Sequence, residues 1–413
     1  MLSPLGLAEG RSTLSKYKFL IATVALGLVV AVSVMIHYVR QANAWPSLDD
    51  QPPLAVPPVA SPTDSWFTLK ALMATIPMEH QNRIKEALKE DGLPAEREVW
   101  ILVTDKLEAL SAVVASSPIV SPTREFGSEG SKTSLVPLLS LARGQILRGW
   151  NRYGEGDAIE AVEDMLLADR LGQQLVDGSQ SLMMSLFGYA IQAEALKELE
   201  ELLFLAHEPS VHRLVAERLP RQAPKEGGLR AMLLRECADT EALLLDPVQS
   251  EAAVREAWGS KSLPGMLYDM DATVAQHRWW CRSAISWAER LPTQRGASPT
   301  YLPEGLSEVL PYNGIGIQLL KVVSVEGTLG SLDSLREGQL HREVLRLLTA
   351  ARLYGFAHAG EPPARADLLV PEYLPSVPLD LFTGKALKIE SEEIKSSRGE
   401  RVWITLPRAP SEP

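Results

Sequence analysis

The 413-residue sequence is poor in cysteine and lacks the short motifs that mark several enzyme classes. Its only two cysteines, Cys237 and Cys281, exclude a disulfide-rich scaffold but allow one bridge in an oxidising compartment. The alternative is two separate buried thiols. Neither Gly-x-Ser-x-Gly nor Cys-x-x-Cys occurs, and no nucleophile can be matched to a histidine by spacing alone. No catalytic or cofactor-binding residue is therefore predicted.

Blocks of basic residues are also absent, and 52 acidic residues outnumber 41 lysines and arginines. This balance argues against a nucleic-acid partner and against a polybasic surface that binds lipid headgroups. Alternating strand patterns are nearly absent before residue 386. The chain is therefore predicted to be mostly α-helical.

One long apolar run is present, from Phe19 to Ile36, and it contains no charged residue. Together with the next three residues it reaches the ~20 residues that a membrane-spanning helix needs, so residues 19–39 are predicted to span a lipid bilayer once. Three basic residues, Arg11, Lys16 and Lys18, precede the run, which by the positive-inside rule places the short tail in the cytoplasm. The expected location is the bacterial inner (plasma) membrane, with the C-terminal ectodomain outside the cytoplasm.

A cleaved signal peptide is the alternative to this signal-anchor. Ala42-Asn43-Ala44 has the small-x-small pattern of a cleavage site. The apolar run, however, is longer than the usual 7–15 residues of a signal peptide, and Arg40 interrupts the approach to the site. Both interpretations export the rest of the chain.

The predicted organisation follows from this run and from changes in composition. Six prolines between residues 46 and 62 disfavour helix and sheet, and predict an extended stalk. The predicted segments are a cytoplasmic tail (1–18), a transmembrane anchor (19–39), a Pro-rich linker (40–63), an α-helical ectodomain (64–360) and a C-terminal element with a β-hairpin and tail (361–413).

Amphipathic patterns predict an irregular multi-helix ectodomain built of helical hairpins. Asp157, with Glu160 three residues later, is typical of a helix N-cap, and the acidic residues that follow, including Asp164, are predicted to lie in a solvated first turn. Near the C-terminus, residues 386–389 and 401–405 alternate with a two-residue period. They predict the two strands of a single terminal hairpin.

One motif superficially resembles a zinc-protease signature, from His207 to His212. Zinc binding of that type needs two histidines four apart on one helical face, whereas these two are five apart with Pro209 between them. A helix end near His207 and a new helix after Pro209 are predicted instead, and no metal site is predicted.

Two stretches resemble known families. Residues 149–168 resemble one unit of a tetratricopeptide-type helical hairpin, without the recurrence that an array requires. Residues 369–387, LVPEYLPSVPLDLFTGKAL, are similar to the C-terminal element of major pseudopilins and of membrane-anchored helical proteins of bacteria. Leu381 and Ala386 stand where the element usually has prolines, and no prepilin-peptidase site precedes the apolar run. The resemblance implies the second group, an exported helical body closed by a C-terminal clasp.

Two functions are compatible with these patterns. The first is a non-catalytic, membrane-anchored envelope protein whose helical ectodomain binds another protein. The second is a membrane-tethered hydrolase that acts on an envelope polymer, for which Glu208 and Asp239 are only placeholders. A concave pocket with two or more buried carboxylates or histidines would favour the enzyme, and an open groove lined by apolar side chains would favour binding.

Overall fold

The structure is a computed structural model. It describes residues 28–37, 39–40, 46–56, 61–88, 98–116, 118–121, 135–179, 181–219, 228–246, 248, 269–296, 298–299, 313, 320, 329, 331–390, 392–397 and 401–404.

The predominantly α-helical fold is confirmed. The α-helices are α1 Asp64–Ala74, α2 Met78–Ala87, α3 Thr104–Ser116, α4 Val136–Gly154, α5 Ala158–Gly178, α6 Leu182–Leu205, α7 Pro209–Arg218, α8 Gly228–Leu245, α9 Met270–Glu289 and α10 Ser331–Ala357. Short 3-10 helices cover Glu98–Val103, Pro292–Gln294 and Ala366–Leu369, and three strands follow, β1 Lys388–Glu390, β2 Glu393–Lys395 and β3 Arg401–Trp403. The sequence also predicts a helix over residues 251–258, and this stretch lies outside the described residues.

The chain divides into two compact units. The first unit comprises residues 1–54, 239–283 and 299–324, and the second comprises residues 55–238, 284–298 and 325–413. The C-terminal element predicted over residues 361–413 lies wholly in the second unit, whereas the predicted ectodomain (64–360) is divided, with its residues 239–283 and 299–324 in the first unit.

Residues 28–37 and 39 of the predicted anchor are helical, as is Arg40 at the start of the predicted linker. Every residue from Leu28 to Ile36 is exposed, and eight of these nine are apolar. Residues 19–27 of the predicted anchor lie outside the described residues. Within the described part of the chain, no helix combines the length and the apolar character required to cross a membrane.

Part of the predicted linker is folded rather than extended. The backbone N–H groups of Asp50 and Gln51 donate to the carbonyl oxygens of Ser47 and Leu48, at 3.2 and 3.1 Å. These bonds close successive turns over residues 47–51. The prediction of a continuous extended stalk is therefore wrong for this stretch, because local turn bonds replace the extended path.

The second unit is built around the hairpins of α4, α5 and α6. Two glycines, Gly172 on α5 and Gly188 on α6, let these helices approach closely. A Cβ added to Gly172 would lie 2.5 Å from the Gly188 carbonyl oxygen, and one added to Gly188 would lie 2.7 Å from the Gly172 carbonyl oxygen. No side chain fits at either position, so the glycines determine the crossing of the two helices.

The predicted cap of α5 is confirmed. The Asp157 carboxylate accepts a hydrogen bond from the Glu160 N–H at 3.2 Å, which satisfies one of the unpaired donors of the first turn. The reciprocal half of a capping box does not form, because the Glu160 carboxylate contacts Arg152 instead, at 2.9 Å.

The C-terminal sheet corrects the predicted hairpin. The two predicted strands correspond to β1 and β3, but β2 lies between them and pairs antiparallel with both. Glu392, with a φ of 66°, takes the left-handed conformation in the tight turn between β1 and β2. The segment interpreted as a polar turn therefore contains a strand, because Ile394 packs into the core.

The C-terminal element packs against the helical body, as the predicted clasp requires. Leu374 and Phe382 are buried in the same core cluster as side chains of α6 and α10. The Asp380 carboxylate accepts from the N–H groups of Phe382, Thr383 and Ser397, at 2.9, 3.1 and 2.8 Å. Burial acts to raise the pKa of Asp380, but these N–H donors outweigh it and hold the pKa below its usual value.

The first unit is organised by the polar contacts of α9. Trp280 is fully buried, and its indole N–H donates to the Pro299 carbonyl oxygen at 3.1 Å. Asn313 accepts from the Asp269 N–H at 2.8 Å and donates to the Thr273 hydroxyl at 2.7 Å, which secures the start of the helix.

Candidate binding groove

A surface groove of about 330 Å³ lies in the second unit, where the C-terminal end of α6, the middle of α10 and strand β3 meet. Side chains four apart on a helix share one face, and both helices use this spacing to line the groove. Phe204 and Leu205 are 42% and 46% exposed, whereas Leu348 is buried. The lining residues are Glu200, Glu201, Phe204, Leu205, Leu348, Arg352 and Val402.

Arg352 joins two walls of the groove. Its guanidinium donates to the carbonyl oxygen of Leu203, in the last turn of α6, and to that of Ile404 beyond β3, the second at 3.2 Å. A cation at this position satisfies a terminal carbonyl group and suits the negative end of the α6 dipole. Burial lowers the pKa of Arg352 to about 10, opposed by the nearby Glu200, so the side chain stays charged at neutral pH.

His212 lies behind this wall, on α7. It is fully buried, and its Nε2 is 3.1 Å from the carbonyl oxygen of Ala206, just after the end of α6. Its ring lies 5.4 Å from that of Phe356 on α10. Burial, reinforced by the positive charge of Arg352, lowers the pKa of His212 to about 4. The neutral ring therefore donates from Nε2 to the Ala206 carbonyl at pH 7.

The charged residues at the rim already have partners. Glu200 lies 3.1 Å from the His341 ring, and Glu201 lies 3.6 Å from Lys197. These side chains remain accessible, since Glu200 is 28% and Glu201 is 54% exposed. The groove thus combines an apolar surface with a partly neutralised polar rim.

Two buried ion pairs link helices of the second unit, and the sequence patterns predict neither of them. Arg342 on α10 binds Asp169 on α5, and both side chains are almost fully buried. Arg148 on α4 binds Asp164 on α5 at 2.7 and 3.0 Å. Burial raises the pKa of Asp164, an effect that Arg148 opposes.

The prediction of a solvated Asp164 is wrong. Asp164 accepts a further bond from Gln145 at 2.7 Å, and it is only 4% exposed. The available signal was the spacing of Gln145 and Arg148, three apart on the preceding helix and facing α5. The pattern of acidic residues within α5 does not show that Asp164 faces these two side chains of α4.

The remaining predicted residues are placed as follows. Cys237 and Cys281 are both buried, and the disulfide between them stays a prediction from the sequence. His207 lies exposed between α6 and α7, as does Glu208, whereas His212 is buried, so the two histidines occupy different environments. Asp239 is half-buried on α8.

In comparisons with known proteins, no protein-family model, no curated protein and no solved structure matches the chain. The resemblance of residues 369–387 to the pseudopilin-type element stays a prediction from the sequence.

Proposed function

We propose that this protein is a non-catalytic, single-pass membrane protein whose helical ectodomain binds another protein through the groove formed by α6, α10 and β3. The observation that supports this most directly is the exposure of Phe204 and Leu205 beside the buried Leu348. Interfaces draw most of their affinity from a few apolar or aromatic side chains at a well-packed centre. The groove has the right size for a few side chains of a partner, being at the lower end of the range for small-molecule pockets.

The anchor is supported by the exposed helix over residues 28–36. Its apolar side chains cover all sides of the helix and would be unfavourable in water. A bilayer is the environment that suits such a helix, and the uncharged residues 19–27 would extend it to spanning length. This proposal keeps the predicted inner-membrane location, with the folded units outside the cytoplasm.

The hydrolase alternative is less well supported. An enzyme of that type would need a general acid or base that is buried in a pocket beside the substrate. The carboxylates of the groove, Glu200 and Glu201, are instead partly exposed, and each lies against a basic group. An apolar floor with such a rim favours recognition over hydrolysis.

Site-specific photo-cross-linking in native membranes tests the proposal. A benzophenone amino acid at Phe204 is expected to yield a defined adduct with a second protein, to be identified by mass spectrometry. Phe67 is the matched control, because it is an aromatic side chain of similar exposure (54%) on α1, away from the groove lining. Equal labelling from both positions, or none from Phe204, would contradict binding at the groove.

Once the adduct has identified the partner, its affinity provides a second measurement. Phe204→Ala is expected to weaken binding by about tenfold or more, as for an aromatic side chain at an interface centre. Phe67→Ala should leave the affinity unchanged.

A further inference from the structure

The segment that connects the predicted anchor to the folded chain is held by two arginines of α9. Arg278 donates to the Gln51 carbonyl oxygen at 2.7 Å. Arg282, one helical turn later, donates to the Gln51 side-chain oxygen and to the Pro52 carbonyl oxygen. All of these residues belong to the first unit.

The arginines are arranged in advance for this contact. Arg278 is 8% exposed, and the Glu241 carboxylate binds its guanidinium at 2.6 and 3.1 Å, in the two-pronged geometry that suits this side chain. The remaining guanidinium nitrogen points to the Gln51 carbonyl oxygen. The backbone carbonyl oxygens of Gln51 and Pro52 are acceptors, and arginine, whose guanidinium only donates, can satisfy both.

The captured segment is also ordered locally. The turn bonds of Asp50 and Gln51 to residues 47 and 48 place the Gln51 carbonyl oxygen at the end of a short folded stretch. The contact between the connecting segment and α9 is therefore well defined: residues 47–51 are folded, and Arg278 is held in place by Glu241.

We propose that Gln51, Pro52, Arg278 and Arg282 form a juxtamembrane clamp, which sets how far the first unit can lie from the bilayer. The inference rests on the proposed anchor for its membrane consequence. With the clamp closed, the connection from residue 40 to residue 51 spans at most about 34 Å, at ~3.1 Å per residue of extended proline-rich chain. The turns over residues 47–51 shorten it further.

Release of the clamp would lengthen this connection. Farther along the chain Thr63 is secured by two hydrogen bonds: its N–H donates to the Val120 carbonyl oxygen at 3.2 Å, and its hydroxyl accepts from the Val120 N–H at 3.1 Å. Residues 40 to 63 could extend to about 70 Å, roughly twice the closed span. The clamp is thus a device that controls the reach of the folded chain above the membrane.

Hydrogen exchange of the full-length protein in nanodiscs tests the clamp itself. The amides of Asp50 and Gln51 are expected to exchange at least about tenfold more slowly than in a free peptide of residues 46–56, because they are bonded and held. Arg282→Ala should remove most of this protection, and Arg282→Lys should restore only part of it, since lysine lacks the fork of donors. Arg290→Ala, which changes an exposed arginine just after the same helix, should have no effect.

Two results would overturn the clamp: free-peptide exchange of residues 46–56 in the wild type, or unchanged protection in Arg282→Ala. Amides within α9 report separately whether the substitution has unfolded the helix. Loss of protection there would move the test to Gln51→Ala, which leaves α9 unaltered, removes the side-chain acceptor of Arg282 and should also speed exchange of the segment.

Energy transfer from a dye at the exposed Asp271 to acceptor lipids tests the membrane consequence. Transfer is expected to decrease in Arg282→Ala relative to the wild type, because the released connection is longer. Unchanged transfer would overturn the proposed control of reach. Failure of the protein to insert into nanodiscs would instead overturn the proposed anchor, while the exchange result would still decide whether the clamp exists.

Discussion

A buried neutral histidine makes the stability of the second unit depend on pH in a predictable direction. In the unfolded chain His212 has a pKa near 6.5, and in the folded protein burial lowers this pKa to about 4. Between these pH values the unfolded state binds a proton that the native state does not bind. Acidification therefore favours unfolding, and the contribution of neutral His212 is complete above about pH 6.5 and lost as the pH falls towards 4.

The size of the effect follows from the difference between the two pKa values. The difference between a pKa of about 6.5 in the unfolded chain and about 4 in the folded protein corresponds to roughly 3 kcal/mol in total. Between pH 7 and pH 5, a range in which most proteins remain folded, the expected loss from this group is about 2 kcal/mol. Such a loss is a large part of the 5–15 kcal/mol by which typical domains are stable.

The assay is urea unfolding of the purified protein at pH 7 and pH 5, with His212→Gln as the test variant. Glutamine cannot titrate, but its amide can donate to the Ala206 carbonyl oxygen, so the variant should lose about 2 kcal/mol less between the two pH values. His207→Gln, which replaces an exposed histidine in the preceding loop, is the control for the other histidines of the chain. Equal losses in His212→Gln and the wild type would refute the reasoning.

Three further outcomes are expected. In thermal unfolding, Gly172→Ala should destabilise the protein by several kcal/mol, because the added Cβ would lie 2.5 Å from a backbone carbonyl oxygen of the facing helix. The control Gly154→Ala should be nearly neutral, because no atom lies within 4 Å of its added Cβ. Asp169→Leu should lower the free energy of unfolding by about 3–5 kcal/mol, because it leaves Arg342 buried without its carboxylate partner. In the same assay Asp367→Leu, which removes an exposed ion pair, should lower it by about 0–1 kcal/mol. Equal losses in the two variants would contradict the argument. Thiol labelling of the denatured protein purified without reductant should leave both cysteines unlabelled, and labelling of two cysteines would show that no disulfide persists.

Much of the fold could be predicted because helix signals are local. The cap at Asp157 depends on Glu160, which is only three residues away in sequence. A proline at the start of a helix and apolar residues at helical spacing act wherever the helix lies in the molecule. The apolar run from Phe19 likewise predicts its environment from composition alone.

Strand β2 could not be predicted from local sequence signals. Its sequence, Glu-Ile-Lys, alternates too briefly to distinguish a strand from a polar turn. Only its pairing with β1 and β3, and the burial of Ile394 against the helical core, make it a strand. Sheet formation depends on side chains from separate segments, which a pattern within one segment does not contain.

The sequence by itself determined that the chain is helical, that it carries one apolar N-terminal run, and where several of its helices begin. The tertiary structure alone decided that Asp164 is buried against Arg148, that Arg352 joins α6 to the segment after β3, and that Gln51 and Pro52 contact α9. The two sets of features differ in how far apart in sequence the interacting residues are. Helix capping and periodicity involve residues a few positions apart, whereas ion pairs, the groove and the clamp join residues tens to hundreds of positions apart, whose meeting depends on how the whole chain packs.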